Sequence, residues 1–94
     1  MNLTAVGYES WDNCFYNDDL VGYDESEELK FEDCVNMCRN NPKCTHFDFD
    51  IINLMCSMMK GEPSIKRTHS NYKCGIVHRV ILFMSYVQNF ILKF

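Results

Sequence analysis

The sequence predicts an α+β fold, a small disulfide-rich domain in which one helix packs on an antiparallel sheet. Three observations carry that reading. Six cysteines stand among 94 residues, one short segment keeps helical spacing, and directly after it the period of the apolar residues drops from helical to alternating. A chain this short removes only a modest share of its surface from water on folding, so covalent staples are expected. An even cysteine count without repeated CxxC pairs reads as a disulfide framework, which points to folding in the secretory pathway.

The helix is read over residues 31–40. Phe31, Cys34, Val35 and Cys38 fall on one face, and Glu32 and Asp33 stand in the first turn, where the helix dipole favours negative charge. Asn41-Pro42 ends it, because proline cannot continue the hydrogen-bond ladder. Ahead of the helix, residues 22–30 are polar and acidic and read as an exposed loop.

Behind the helix, Thr45, Phe47 and Phe49 alternate with His46, Asp48 and Asp50. That is the pattern of a half-buried strand with His46, Asp48 and Asp50 on its wet face. Residues 54–60 fit as its hairpin partner, turned around 50–53 and closed by Gly61. Residues 72–77 read as a late strand and 10–16 as an early one. The domain is placed at residues 11–77, with 1–10 as an N-terminal flank and 78–94 as an apolar C-terminal tail.

Six cysteines allow many connectivities, and helix geometry narrows them. Cys34 and Cys38 lie about one turn apart with nearly parallel Cα–Cβ bonds, so they point together at the sheet instead of bonding to each other. Cys44 follows the helix too closely to reach far along it. Cys38–Cys44 is therefore the short local bridge, Cys34 is left for Cys56 in the hairpin, and Cys14–Cys74 closes the ends of the domain.

The formal net charge is −4. Acidic residues gather between Asp18 and Asp33, whereas the bases Lys60, Lys66, Arg67, Lys73 and Arg79 come later. Both clusters read first as solvated surface. An acidic balance disfavours nucleic acid as a partner, since binding to it is driven largely by phosphate neutralisation.

Catalysis finds no support. The chain has no Gly-rich phosphate loop and no Ser-centred elbow, and a Cys–His dyad would need a thiol that three bridges remove. His46 near Cys44 raises zinc, but the close ligand pairs of zinc sites are missing. Asp48 and Asp50 share a strand face and raise calcium, but two aspartates supply too few oxygens for a hard cation. No metal or cofactor is expected. The segment Tyr16-Asn-Asp-Asp19 mixes aromatic and polar residues in a loop, the composition that recognition surfaces use, and Tyr16 and Asp18 are taken as the candidate binding surface against a plain structural turn.

Three blocks of sequence resemble the PAN/Apple domain family. They are Trp11-Asp-Asn-Cys14 with Asn17-Asp-Asp-Leu20; Glu32-Asp-Cys34 with Cys38 and Asn41-Pro-Lys-Cys-Thr-His-Phe47; and Cys56 with Met59-Lys-Gly61, ending in Cys74-Gly-Ile-Val77. The resemblance covers about residues 11–77. It implies a helix cradled by a curled antiparallel sheet, the pairing Cys14–Cys74, Cys34–Cys56 and Cys38–Cys44, and a non-enzymatic role in binding an extracellular protein or carbohydrate. The chain departs from the family pattern in a shorter segment after Cys14, in Ile52-Asn53 where hairpin glycines are common, and in Ser57 after Cys56. These departures alter loop shape, so no ligand residue is carried over.

The expected location is secreted or on the outer face of the cell surface. Residues 1–10 lack the basic and apolar regions of a signal peptide, which reads as a fragment or an incomplete gene. Asn2-Leu3-Thr4 is a formal glycosylation sequon of little weight. The tail from Val80 carries Ser85, Gln88, Asn89 and Lys93 at helical spacing, which fits an amphipathic helix lying on a membrane or on the domain. A mistranslated exon edge accounts for the tail equally well. Beside the recognition module stands a second reading, a free-standing secreted disulfide-rich effector such as an inhibitor or toxin-like peptide.

Overall fold

The computed structural model describes residues 2–82, with side chains for residues 7–79. In chain order the elements are β1 (Asn2–Phe15), β2 (Leu20–Glu25), α1 (Phe31–Asn40), β3 (His46–Asp50), β4 (Met55–Met59) and β5 (Arg67–Leu82). The strands form one five-stranded sheet in the order β1-β5-β3-β4-β2, and every neighbouring pair is antiparallel. The helix packs on one face of that sheet, which is the α+β disulfide-rich fold the sequence predicts.

Helix α1 spans the segment expected from its spacing, and Cys34, Val35 and Cys38 are its buried residues. At its N-terminus the Lys30 N–H donates to Asp33 Oδ2 at 2.9 Å, satisfying one of the donors that a helix start leaves without an intrahelical partner. At its C-terminus the Asn41 N–H donates to the Met37 and Cys38 carbonyls. Arg79 completes that end from β5. Its guanidinium donates to the carbonyls of Cys38 (2.6 Å), Arg39 (3.1 Å), Asn41 (2.7 Å) and Cys44.

Between helix and sheet lies the larger core, in which Phe47, Phe49, Cys56, Met58 and Val77 meet Cys34, Val35 and Cys38. Phe31 stands 5.9 Å from Phe47 and 6.1 Å from Phe49, ring centre to ring centre, a spacing at which aromatic pairs attract. A smaller core of Cys14, Tyr16, Met59 and Cys74 fills the opposite face, flanked by Trp11 and Ile76. The bridges Cys34–Cys56 and Cys38–Cys44 tie α1 to β4 and to the segment after the helix, and Cys14–Cys74 joins β1 to β5. Gly75 lets the Phe47 ring cross β5 closely, because a Cβ there would collide with Phe47 Cζ and Cε1 as well as with the Glu9 carbonyl oxygen.

Several expectations are corrected. Residues 20–25, read mostly as the start of an exposed loop, form edge strand β2. An edge strand paired only with β4 keeps its side chains largely exposed, so it shows no alternation to read. The wet face assigned to β3 is dry, since all five of its residues are buried. As the central strand, β3 is covered on the side away from α1 by the 16–19 segment and the smaller core. The first and last strands in the chain are also longer than expected: β1 begins at Asn2 and β5 runs from Arg67 to Leu82. The tail reading falls mainly on residues 83–94, outside the described residues.

One irregularity shapes the face opposite the helix. Asp12 pairs with Lys73 but Cys14 pairs with Thr68, so Asn13, at φ 59°, stands opposite residues 69–72. Asparagine tolerates this left-handed conformation better than most residues. The 69–72 excursion stays joined to β3 through the Asp50–Tyr72 pair and the Ile51 N–H to Asn71 carbonyl bond. Residues 69–72 are left without ladder partners in β1.

Candidate functional site

Strand alternation puts Asp48 of β3, Ser57 of β4 and Tyr72 of β5 on the sheet face opposite α1. Phe15, the last residue of β1, leans over the 69–72 excursion, with its ring centre 5.3 Å from His69 and 5.4 Å from Tyr72. His69 and Tyr72 lie 4.6 Å apart, edge to face. Together these elements enclose a pocket of about 180 Å³. Phe15, Leu20, Met59 and Tyr72 supply its apolar wall, and Asn17, Asp48 and Ser57 its polar groups.

Asp48 organises the wall. Its Oδ1 accepts the Tyr16 N–H at 2.8 Å and its Oδ2 the Asn17 N–H at 2.9 Å, so a buried side chain holds the backbone of a loop more than thirty positions earlier. Asn17, at φ 57°, turns the chain there. Burial pushes the Asp48 carboxyl up, and the N–H donors of Asn17 and Tyr16 oppose that push without overcoming it. The Tyr72 hydroxyl is raised first by burial and then by the negative charges of Asp50 and Asp48.

The candidate surface residues Tyr16 and Asp18 are both redirected by the structure. Tyr16 is 1% exposed, with its ring 4.9 Å from His46 in an edge-to-face contact, so its side chain belongs to the smaller core. The chain turns inward there because Asp48 captures its N–H. Asp18 accepts from His46 Nε2 at 2.7 Å and from the Ser64 N–H at 3.0 Å. It fastens one loop to another. His46, fully buried, has its second ring nitrogen 2.7 Å from Thr45 Oγ1.

Asp50 is likewise occupied. It accepts the N–H groups of Ile52 and Asn53 and the Asn53 side-chain amide, all at 2.9–3.0 Å, and so closes the hairpin turn. Among the described residues no group of three or more His, Cys, Asp and Glu side chains is placed to hold a metal ion. Asn17 belongs to the loop singled out by composition. Phe15, Ser57 and Tyr72 carry no signal of their own in the sequence, because the register jump that gathers them is a property of pairing between distant strands.

A five-stranded antiparallel sheet bearing one helix, with three bridges and a pocket on the face opposite the helix, defines a small disulfide-stapled module. The sequence matches the family model described as PAN domain over residues 12–82. The chain belongs to the PAN domain family. Comparison with curated proteins found no match. The PAN fold and its three disulfides fit a small extracellular module, and no helix among the described residues is long and apolar enough to cross a membrane.

Proposed function

We propose that the chain is a non-enzymatic recognition module, working outside the cell, that binds a protein or a carbohydrate through the pocket between Phe15, Asp48 and Tyr72. The observation that carries this reading is the pocket itself. Aromatic rings and a few fixed polar groups converge in a concavity, the usual makeup of a ligand site, on a sheet face that α1 leaves open. PAN domains in general are interaction modules, which supports the same class of function. All six cysteines are bridged, so thiol chemistry has no nucleophile to use. Secretion accords with the disulfide content, since such bridges persist in oxidising compartments.

The test is a screen of the folded chain on protein and glycan arrays beside a Tyr72→Ala variant. The reading expects at least one ligand that the parent retains and the variant loses. Ligands bound equally by both, or none on either array, would overturn it.

A further inference from the structure

Resting on the recognition reading above, we infer that the Phe15–Tyr72 pocket takes a basic side chain, lysine or arginine, projecting from a partner protein. The argument starts from Asp48. Asp48 lines the pocket and is 3% exposed, and no lysine or arginine among the described residues is ion-paired with its carboxylate. Each oxygen accepts one backbone N–H, which leaves acceptor capacity on both, since an ionised carboxylate offers about four lone-pair sites. His46 lies on the same strand face, but Asp18 and Thr45 engage its two ring nitrogens.

Phe15 and Tyr72 line the pocket beside Asp48, and a cation gains both from an aromatic ring and from a carboxylate, whereas a neutral group gains little from the charge. Asp50 adds negative charge on the same side, which Tyr72 registers through the direction of its shift. Two lysines of β5 and the segment before it are engaged elsewhere. Lys66 sits over Trp11 at 3.3 Å, and Lys73 lies toward Phe31 on the helix face and 3.6 Å from Asp12.

Size decides between a side chain and a larger ligand. At about 180 Å³ the pocket falls below the roughly 300 Å³ lower bound of sites that enclose drug-sized molecules. It matches the end of one long side chain, whose methylenes lie against Phe15, Leu20 and Met59 while its charged head reaches Asp48. The net charge of −4 favours approach of a basic surface.

The experiment follows backbone amide shifts of the folded chain titrated with Nα-acetyl-lysine amide, Nα-acetyl-arginine amide, the uncharged Nα-acetyl-norleucine amide, galactose and N-acetylglucosamine. Ligands of this size bind at roughly millimolar Kd. One or both cations are expected to shift Asn17, Ser57 and Tyr72 saturably, and norleucine amide and the sugars are not. Asp48→Asn is expected to weaken the cation about tenfold. Should that variant misfold, Tyr72→Ala serves in its place, and added salt should weaken cation binding to the parent. Sugars that shift these amides while the cations do not would overturn this inference and leave the recognition reading standing. Norleucine amide acting as well as the cations would likewise remove the charge requirement. Silence from every probe at millimolar concentration would remove the basic side chain as occupant, and the array screen would then decide the broader reading separately.

Discussion

His46 Nε2 donates to Asp18 Oδ2 across 2.7 Å, joining the central strand to a loop 28 positions earlier in the chain. The imidazole is fully buried and the carboxylate side chain is 21% exposed. Removing the acceptor leaves a buried N–H with no partner, at a cost of about 1–3 kcal/mol. Asp18→Ala is therefore expected to lower the urea midpoint by that equivalent, and Asp18→Asn by less, since one amide oxygen remains. A melt of Asp18→Ala that overlays the parent would show that the pair contributes nothing to stability.

Asp48 gives the pH profile a definite sign. Burial raises its folded carboxyl above the ordinary value of 3.8, so between that value and the raised one the folded state holds more protons and stability falls as pH rises. Asp18 and Asp50 work in the opposite sense. Burial pushes each up, but at Asp18 the Ser64 N–H and the His46 ring, and at Asp50 the Asn53 and Ile52 donors, bring the folded carboxyls below 3.8. Their contribution is complete above the unfolded value and is lost as pH falls through the folded one. The difference in urea midpoints between the parent and Asp48→Asn isolates Asp48, because the other carboxyls are common to both proteins. Relative to Asp48→Asn, the parent is expected to lose stability as pH rises through that window; an identical slope in both proteins would contradict this.

Arg79 gathers four carbonyls from the end of α1 and the segment after it. Charge-assisted bonds at a helix C-terminus satisfy acceptors that the helix cannot pair itself, and the positive charge suits the dipole there. Arg79→Ala is expected to cost about 2–3 kcal/mol. Lysine cannot span four acceptors in a planar fork, so Arg79→Lys should recover only part of the loss. Calorimetry of the three proteins checks the order parent, lysine, alanine.

The Cys34–Cys56 bridge closes a sequence separation of 22. Loop entropy puts its contribution at about 3.4 kcal/mol, a large part of the roughly 5–15 kcal/mol that holds a typical domain folded. The paired substitution Cys34→Ala with Cys56→Ala is expected to abolish cooperative thermal unfolding at 37 °C, followed by near-ultraviolet circular dichroism. A reversible melt within a few degrees of the parent would contradict it.

Helix α1 and the hairpin of β3 and β4 were legible because their signals are local: Cys34, Val35 and Cys38 mark one helical face, and Phe47 and Phe49 mark one strand face. Alternation in β3 also sorted the residues correctly into two faces. It misjudged what covers the second one, because the cover comes from Tyr16, Met59 and Cys74, remote in sequence. Strand β2 escaped for a different reason, since an exposed edge strand has no buried side to declare itself. The loop at residues 16–19 drew notice by composition, yet composition cannot tell that Asp48 draws Tyr16 inward. Phe15, Ser57 and Tyr72 converge only after the sheet has formed and β5 has slipped register beside Asn13.

The measurement that bears most directly on the recognition reading is a footprint of the bound partner on the folded chain, taken from backbone amide shifts with the ligand retrieved by the array screen. The largest changes are expected at Phe15, Asn17, Ser57 and Tyr72, with the outer helix residues Glu32 and Asn36 unmoved. A footprint centred on Glu32 and Asn36 that leaves Asn17 and Tyr72 unchanged would contradict it.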